Sequence, residues 1–317
     1  MKALLIAPLS FYSFSDTISN ELKKRGYKVE VICDEHPNNI FMSFISKIGL
    51  NVVVKFLTRK YFQKYLTSKT YDLILIIKGR GIDSKSVKLF KKKSKKVLGY
   101  HFDSLNYEYG LNGWIKDVDS ANTFDYQDSI KHNMNLIELF SFINPNKYKD
   151  DRYRSIFCSA IVRNHSDRLK FIDKVFSNFL NKKTFIYIYE KNIFSYLFNM
   201  LRHPILFFKY RNFIHTKPLK KELYEDVISK SEYTVDYAHP KQTGTTIRCF
   251  EAAALGTRVI TNNKFISKSL VFNKGMFNIY DELPKKNLNA LLNELINEQR
   301  LSIYRSTEDF IDDILAS

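Results

Sequence analysis

The sequence predicts an α/β protein made of two parallel sheets in tandem. Three observations carry this. Short apolar runs alternate with helical patterns along most of the chain, which is the signature of βαβ units. The 317 residues exceed what one domain of roughly 150 residues requires. A polar, turn-forming stretch around Asn144, Pro145 and Asn146, continuing to Arg152, interrupts the periodic pattern and marks a linker. Domains are therefore expected at 1–147 and 148–317, with the last helix a candidate to cross back to the first.

The first series opens with a strand at residues 2–7, an amphipathic helix at 16–24 stopped by Gly26, and a strand at 27–33. Residues 71–77 are apolar at nearly every position, as a strand covered on both faces must be. A helix at 84–93 and a strand at 96–100 follow. Lys91, Lys92, Lys93, Lys95 and Lys96 gather at that helix end, where cations complement the dipole. A short strand at 121–124 and a helix from Gln127 complete the layer. The second series places strands at 155–162, 184–189, 233–236 and 258–261, with helices at 167–180, 220–230 and 245–255. Ligands of such sheets bind at the carboxyl ends of the strands, where loops meet helix N-termini.

Composition narrows the function classes. With 50 Lys and Arg against 33 Asp and Glu the net charge is +17, yet 26 Phe and 20 Tyr exclude a disordered basic tail. Cys33, Cys158 and Cys249 lie far apart without metal or disulfide spacing, which fits a reducing cytoplasm. The apolar run after Met1 ends at Pro8, so no secretory leader is expected, and no window reaches the roughly 20 apolar residues of a membrane span. The surplus charge suits nucleic acid, anionic lipid, an anionic small molecule or plain solvation. No helix-turn-helix, zinc-finger or RNP pattern places side chains on bases, so nucleic acid is not expected as a partner.

The most informative stretch runs from Asp236 to Asn263, DYAHPKQTGTTIRCFEAAALGTRVITNN. It reads as strand, polar loop, helix, glycine stop and strand. The backbone N–H groups of Gly244, Thr245 and Thr246 open the helix, where the dipole favours an anion such as phosphate. Glu251, about two turns in, can accept two hydrogen bonds from a vicinal diol; the alternative is a surface glutamate paired with Arg248 three residues earlier.

Glu251 followed by AAALGTRVI resembles the nucleotide-sugar segment of GT-B glycosyltransferases, written EAxAxGTPVI. The resemblance implies two Rossmann-like domains facing across a cleft, with the donor nucleotide held mainly by the C-terminal one. It also implies ribose contact by Glu251 and diphosphate contact around Gly244, Thr245 and Thr246. Where many retaining members carry a second glutamate eight residues upstream, this chain has Thr243. The stretches YHFDS from Tyr100, TFDYQD from Thr123 and HPKQTGTTIR from His239 are similar to bacterial glycosyltransferases of surface-polysaccharide and lipopolysaccharide synthesis. The implied activity is metal-independent sugar transfer from a nucleotide-sugar donor to a glycan or lipid-linked acceptor, with no cofactor.

Further candidates sit at strand ends. Arg163 and Arg168 can neutralise a diphosphate leaving group, with Arg248, Thr243 and the helix opening completing the donor set. Lys217 is a weaker candidate. His239 precedes Pro240 in a loop, where it can bind phosphate, position the donor sugar or hold the loop, and some CMP-sugar-using GT-B enzymes carry such a His-Pro pair. Asp103 can take the proton of the acceptor hydroxyl or cap a turn. Tyr100 and His101, beside it, are assigned to the acceptor. Asp125 and Asp128 read as helix caps. The aromatic and basic stretch 194–211 suits either a buried helix or contact with an anionic membrane at the inner face of the cytoplasmic membrane. The competing reading of the whole chain is a catalytically inactive sugar-nucleotide-binding or scaffold protein.

Overall fold

The computed structural model describes residues 1–9, 12–39, 50–107, 111–148, 153–179, 181–279, 292 and 298–317. The chain divides into two compact units, the first Met1–Leu139 with Lys241–Gly244 and Ser306–Ser317, the second Phe140–Pro240 with Thr245–Arg305. The first unit thus includes the C-terminal helix. Residues 149–152, in the expected linker, lie outside the described residues.

The first unit carries β1 (Lys2–Ala7), α1 (Tyr12–Lys24), β2 (Lys28–Cys33), α2 (Asn51–Tyr65), β3 (Tyr71–Ile77), α3 (Ser84–Lys91), β4 (Ser94–His101), β5 (Ser120–Thr123), α4 (Tyr126–His132) and β6 (Asn135–Leu136). Its strands lie in the order β2-β1-β3-β4-β5-β6, all neighbours parallel. β1 and β3 are two of the interior strands, and their residues Leu4, Leu5, Ile6, Ile74, Leu75 and Ile76 are fully buried. Each such side chain contributes roughly 1.5–3 kcal/mol of burial. Trp114 crosses the sheet face and donates from Nε1 to the carbonyl of Gly79 at 3.0 Å. A Cβ at Gly99 would overlap its ring, so glycine is required there.

The helix α2 was not expected. Its first turn, Asn51-Val-Val-Val, is β-branched and hides the helical signal. The period shows only in its buried residues Val54, Thr58 and Phe62, each four apart. Edge strand β6 escapes because two residues carry no pattern.

The second unit carries β7 (Ile156–Arg163), α5 (Arg168–Phe176), β8 (Thr184–Tyr189), α6 (Ile193–Arg202), α7 (Pro204–Lys209), β9 (Ile214–His215), α8 (Lys221–Ser229), β10 (Ser231–Asp236), α9 (Ile247–Ala254), β11 (Arg258–Thr261) and β12 (Phe277–Ile279). Its order is β12-β11-β10-β7-β8-β9, again parallel throughout. The core gathers Val162, Ile172, Val175, Ile188, Tyr233 and Val235 between sheet and helices. The chain winds outward from β7 to β9, then returns to the other side of β7 with β10. The loops after β7 and β10 therefore diverge, and a crevice opens between them at the carboxyl edge. The last helix, α10 (Thr307–Ala316), belongs to the first unit, where Phe310 packs on Phe14 and Tyr100.

Candidate functional site

In the second unit the strand ends converge as such a crevice demands. Asp236 closes β10 and is almost fully buried. It accepts from Thr246 Oγ1 at 2.7 Å and Thr261 Oγ1 at 3.2 Å, and Arg248 Nη1 lies 3.6 Å away. The carboxylate thereby orients the first turn of α9 and holds Arg248 along it. Arg248 Nε is buried without a hydrogen-bond partner. Beyond β10, Ala238 N donates to Asn262 Oδ1 at 2.7 Å, and Asn262 Nδ2 donates back to the Ala238 carbonyl at 3.0 Å. This pair fixes the loop that carries His239.

Glu251 lies on α9, buried, and accepts from the Tyr224 hydroxyl of α8 through Oε2. Oε1 has no hydrogen bond among the described residues. Arg248 pairs with Asp236 and not with Glu251, so the expected alternative of a surface ion pair does not form. Burial pushes the Glu251 carboxyl up to about 7, against the pull of the Tyr224 hydrogen bond and the Arg248 charge. Burial, with the Glu251 charge added, raises the Tyr224 phenol well above its ordinary value. A half-protonated carboxyl with one open oxygen is suited to accept from a ligand hydroxyl.

On the other lip, Arg163 ends β7 exposed, and its carbonyl accepts from Arg168 Nη1 at 3.3 Å. The Arg168 guanidinium sits 6.0 Å from the centre of the Tyr237 ring. Between them lies His165, which sequence reasoning missed because a lone histidine in a loop carries no pattern. Burial, and then the positive charges of Arg168, Arg163, His239 and Arg248, push its imidazole down to about 3. Arg163 and Arg168 flank the β7–α5 connection, and His239 and Arg248 lie in the β10–α9 connection and the first turn of α9; together they surround His165 with positive charge, and an anion there would be favoured. Asn164, buried beside it, donates from Nδ2 to Glu190 Oε1 at 2.6 Å.

The polar loop before α9 is arranged otherwise than expected. Thr243 N and Gly244 N both donate to Asp125 Oδ2, at 2.6 and 3.2 Å, and Thr243 Oγ1 donates to Oδ1 at 2.7 Å. The amide of Gly244, expected to be free for phosphate, is instead spent on a buried carboxylate. A Cβ at Gly244 would run into the Phe124 ring, which is why glycine stands there. Thr245 is buried, and Thr246 is the N-cap of α9 with its hydroxyl turned to Asp236.

The first unit places Asp103 just past β4, where Oδ2 accepts from Lys78 Nζ at 2.6 Å and Oδ1 from Gln242 Nε2 at 3.4 Å. Lys78 follows β3 in the left-handed region at φ 67°. Asp34, past β2, is buried and accepts from Arg80 N at 3.1 Å; burial and the neighbouring Glu35 charge push it up to about 6. Tyr100 and His101 do not face an acceptor. Both are fully buried: Tyr100 donates to the Ile137 carbonyl, and His101 stacks 4.6 Å from Trp114. Burial, then the Lys78 charge, pushes His101 down to about 3 and keeps it neutral. Strand alternation explains the correction, because the last residues of an interior strand still point into the layers. Asp125 does cap α4, its Oδ1 accepting from Gln127 N and Asp128 N, each at 3.1 Å, whereas Asp128 lies inside the helix and its Oδ2 accepts from Leu105 N at 2.7 Å, so it is not a cap.

No family model and no curated protein matches this chain. Solved structures do match over essentially its whole length. The lipopolysaccharide outer core galactosyltransferase WaaB superposes with a TM-score of 0.62 at 11% identity, covering 100% of this chain and 99% of that one. The Acinetobacter baumannii MurG gives 0.53 at 10% identity, covering 100% and 99%. A Methanocaldococcus jannaschii UDP-GlcNAc 2-epimerase, solved with UDP-GlcNAc and UDP, gives 0.56 at 12%, covering 100% and 99%. The chain has the GT-B fold these proteins share, two Rossmann-like α/β units.

Proposed function

We propose that the protein is a glycosyltransferase that moves a sugar from a nucleotide-activated donor to a glycan or lipid-linked acceptor in bacterial surface-glycan synthesis, working in the cytoplasm. The observation that carries this reading is the pairing, on one sheet edge, of Glu251 with an open carboxyl oxygen and the cationic group formed by Arg163, Arg168, His239 and Arg248. A nucleoside diphosphate offers the matching chemistry, a vicinal diol and a polyanion. Ionised Glu251 accepts from the ribose, and the guanidinium groups meet the diphosphate. As the acceptor hydroxyl attacks the anomeric carbon, the bond from that carbon to the diphosphate breaks, and the arginines stabilise the departing charge without a metal. Asp103 is the candidate to take the acceptor proton, and His239 to position the donor sugar.

A thermal-shift series with UDP, GDP, ADP, TDP and CMP tests this. One nucleotide is expected to stabilise the protein saturably, and Arg163→Ala to weaken that nucleotide about tenfold while leaving the melting temperature of the free protein unchanged. No shift with any nucleotide would overturn the reading. The fold shared with UDP-GlcNAc 2-epimerases favours a second reading, interconversion of sugar nucleotides. Conversion of the bound sugar without an acceptor and without nucleotide release would select it. Transfer that persists in excess chelator would support the metal-free route.

A further inference from the structure

Helix α6 is built inside out. Its residue Asn199 points inward, buried, and donates to Glu190 at 2.9 and 3.1 Å and to the Asn164 carbonyl at 3.2 Å. Glu190 is itself fully buried at the end of β8. The apolar residues Ile193, Phe194, Leu197, Phe198 and Leu201, spaced as one helical face, point outward. Phe194 is 79% exposed and Leu201 77%. Past the break at Pro204, Ile205 extends the same surface at 83% exposed, with Phe208 beside it at 57%. These helices are not loosely held. The Asn192–Ser195 capping box starts α6, Phe207 packs edge-on against Tyr196, and Tyr210 and Lys209 both bond Asp173. A seated helix pair that turns its polar residue in and its apolar residues out needs an apolar medium on its outer side.

The surrounding charge says which medium. From Lys191 to Arg211 the sequence contains Lys191, Arg202, Lys209 and Arg211, all exposed, and no aspartate or glutamate; Asp167 and Asp173, from α5 and its N-cap, pair with Arg202 and Lys209, and the surplus is carried by Lys191 and Arg211. Aromatic and aliphatic side chains flanked by cations match the headgroup boundary of an anionic bilayer, where the rings enter the acyl region and long cationic chains reach the phosphates. No helix among the described residues is long and apolar enough to cross a membrane, so the contact would be along the surface. We propose that the outward face of α6 and α7 docks the protein on an anionic lipid surface, by insertion of Phe194, Leu201 and Ile205 within that basic ring. Because α6 begins where β8 ends, the docking face shares the carboxyl edge of the sheet with the candidate site, and Asn164, next to Arg163 in the chain, bonds both Glu190 and Asn199 of α6.

Co-sedimentation of the full chain, without nucleotide, is the test. Vesicles of phosphatidylcholine alone are compared with vesicles of phosphatidylcholine and phosphatidylglycerol. The protein is expected to pellet with the anionic vesicles, less so at high salt, and to stay in solution with the neutral ones. The triple variant Phe194→Ser, Leu201→Ser, Ile205→Ser should lose at least about tenfold in vesicle affinity, with melting temperature and nucleotide-induced shift unchanged. Equal binding to both vesicles, no binding to either, or undiminished binding by the triple variant would overturn the proposal. So would a dimer of the free protein that the substitutions dissolve, which would assign the face to a second copy. The retained nucleotide shift separates failure here from failure of the transfer reading.

Discussion

Each unit buries a carboxylate near the carboxyl edge of its sheet, and the two are treated in opposite ways. Asp125, after β5, accepts five hydrogen bonds: from Gln127 N, Asp128 N, Thr243 N, Thr243 Oγ1 and Gly244 N. Glu251, on α9, accepts one, from Tyr224. A saturated carboxylate has no lone pair left to offer and serves to fix backbone. An under-satisfied buried carboxylate is costly when ionised and keeps an oxygen for a ligand. The contrast marks Asp125 as a structural clamp and Glu251 as the candidate binding group, although both stand next to motifs the sequence singled out.

The comparison would break first at Asp125. Asp125→Ala leaves buried amide donors without an acceptor and removes the cap of α4, and is expected to cost about 3–5 kcal/mol in denaturant unfolding. Nucleotide affinity of the molecules that remain folded should not change. A loss below about 1 kcal/mol would mean the five bonds are not what holds this loop.

Next comes Glu251→Gln. The folded carboxyl titrates at about 7 against an ordinary value of 4.5, so the folded state binds the proton more tightly. The associated stability is complete below about pH 4.5 and is lost as pH rises to about 7, for a total of about 3 kcal/mol. The glutamine variant carries no such loss. It should be more stable than the parent at pH 8 and converge with it towards pH 4.5, and parallel stability profiles would refute the buried titration. Nucleotide affinity of the parent should rise with pH through about 7, because only the ionised form accepts from both ribose hydroxyls, and that rise should vanish in the variant.

The smallest effect is expected from Tyr224→Phe. Losing the one hydrogen bond that favours ionised Glu251 should move the pH dependence of nucleotide binding upward and weaken binding near neutral pH, by about 1 kcal/mol. An unchanged profile would show that Tyr224 does not set the state of Glu251.

Much of the fold was legible because strand and helix periods are local. Residues 2–7, 71–77, 184–189 and 258–261 form strands with those bounds, and all but the partly exposed 184–189 are apolar runs covered on both faces. The placement of Arg163, Arg168, His239 and Arg248 at strand and helix ends was also legible, since topology puts such positions at one edge. What could not be read were the partners. Tyr224 stands 27 residues before Glu251, and Thr243 stands 118 after Asp125. Tyr100 and His101 were misassigned because a strand end looks the same in sequence whether it faces solvent or a covering layer.

The sequence alone determined two parallel α/β units, the surplus of positive charge, and a helix that opens on threonines and carries Glu251. Only the tertiary structure decided which carboxylate is saturated and which is open, and that the aromatic stretch turns Asn199 inward and Phe194 outward. The physical reason is the same in each case. Period and charge belong to neighbouring residues, whereas the state of a buried polar group depends on which distant donors the packing brings to it.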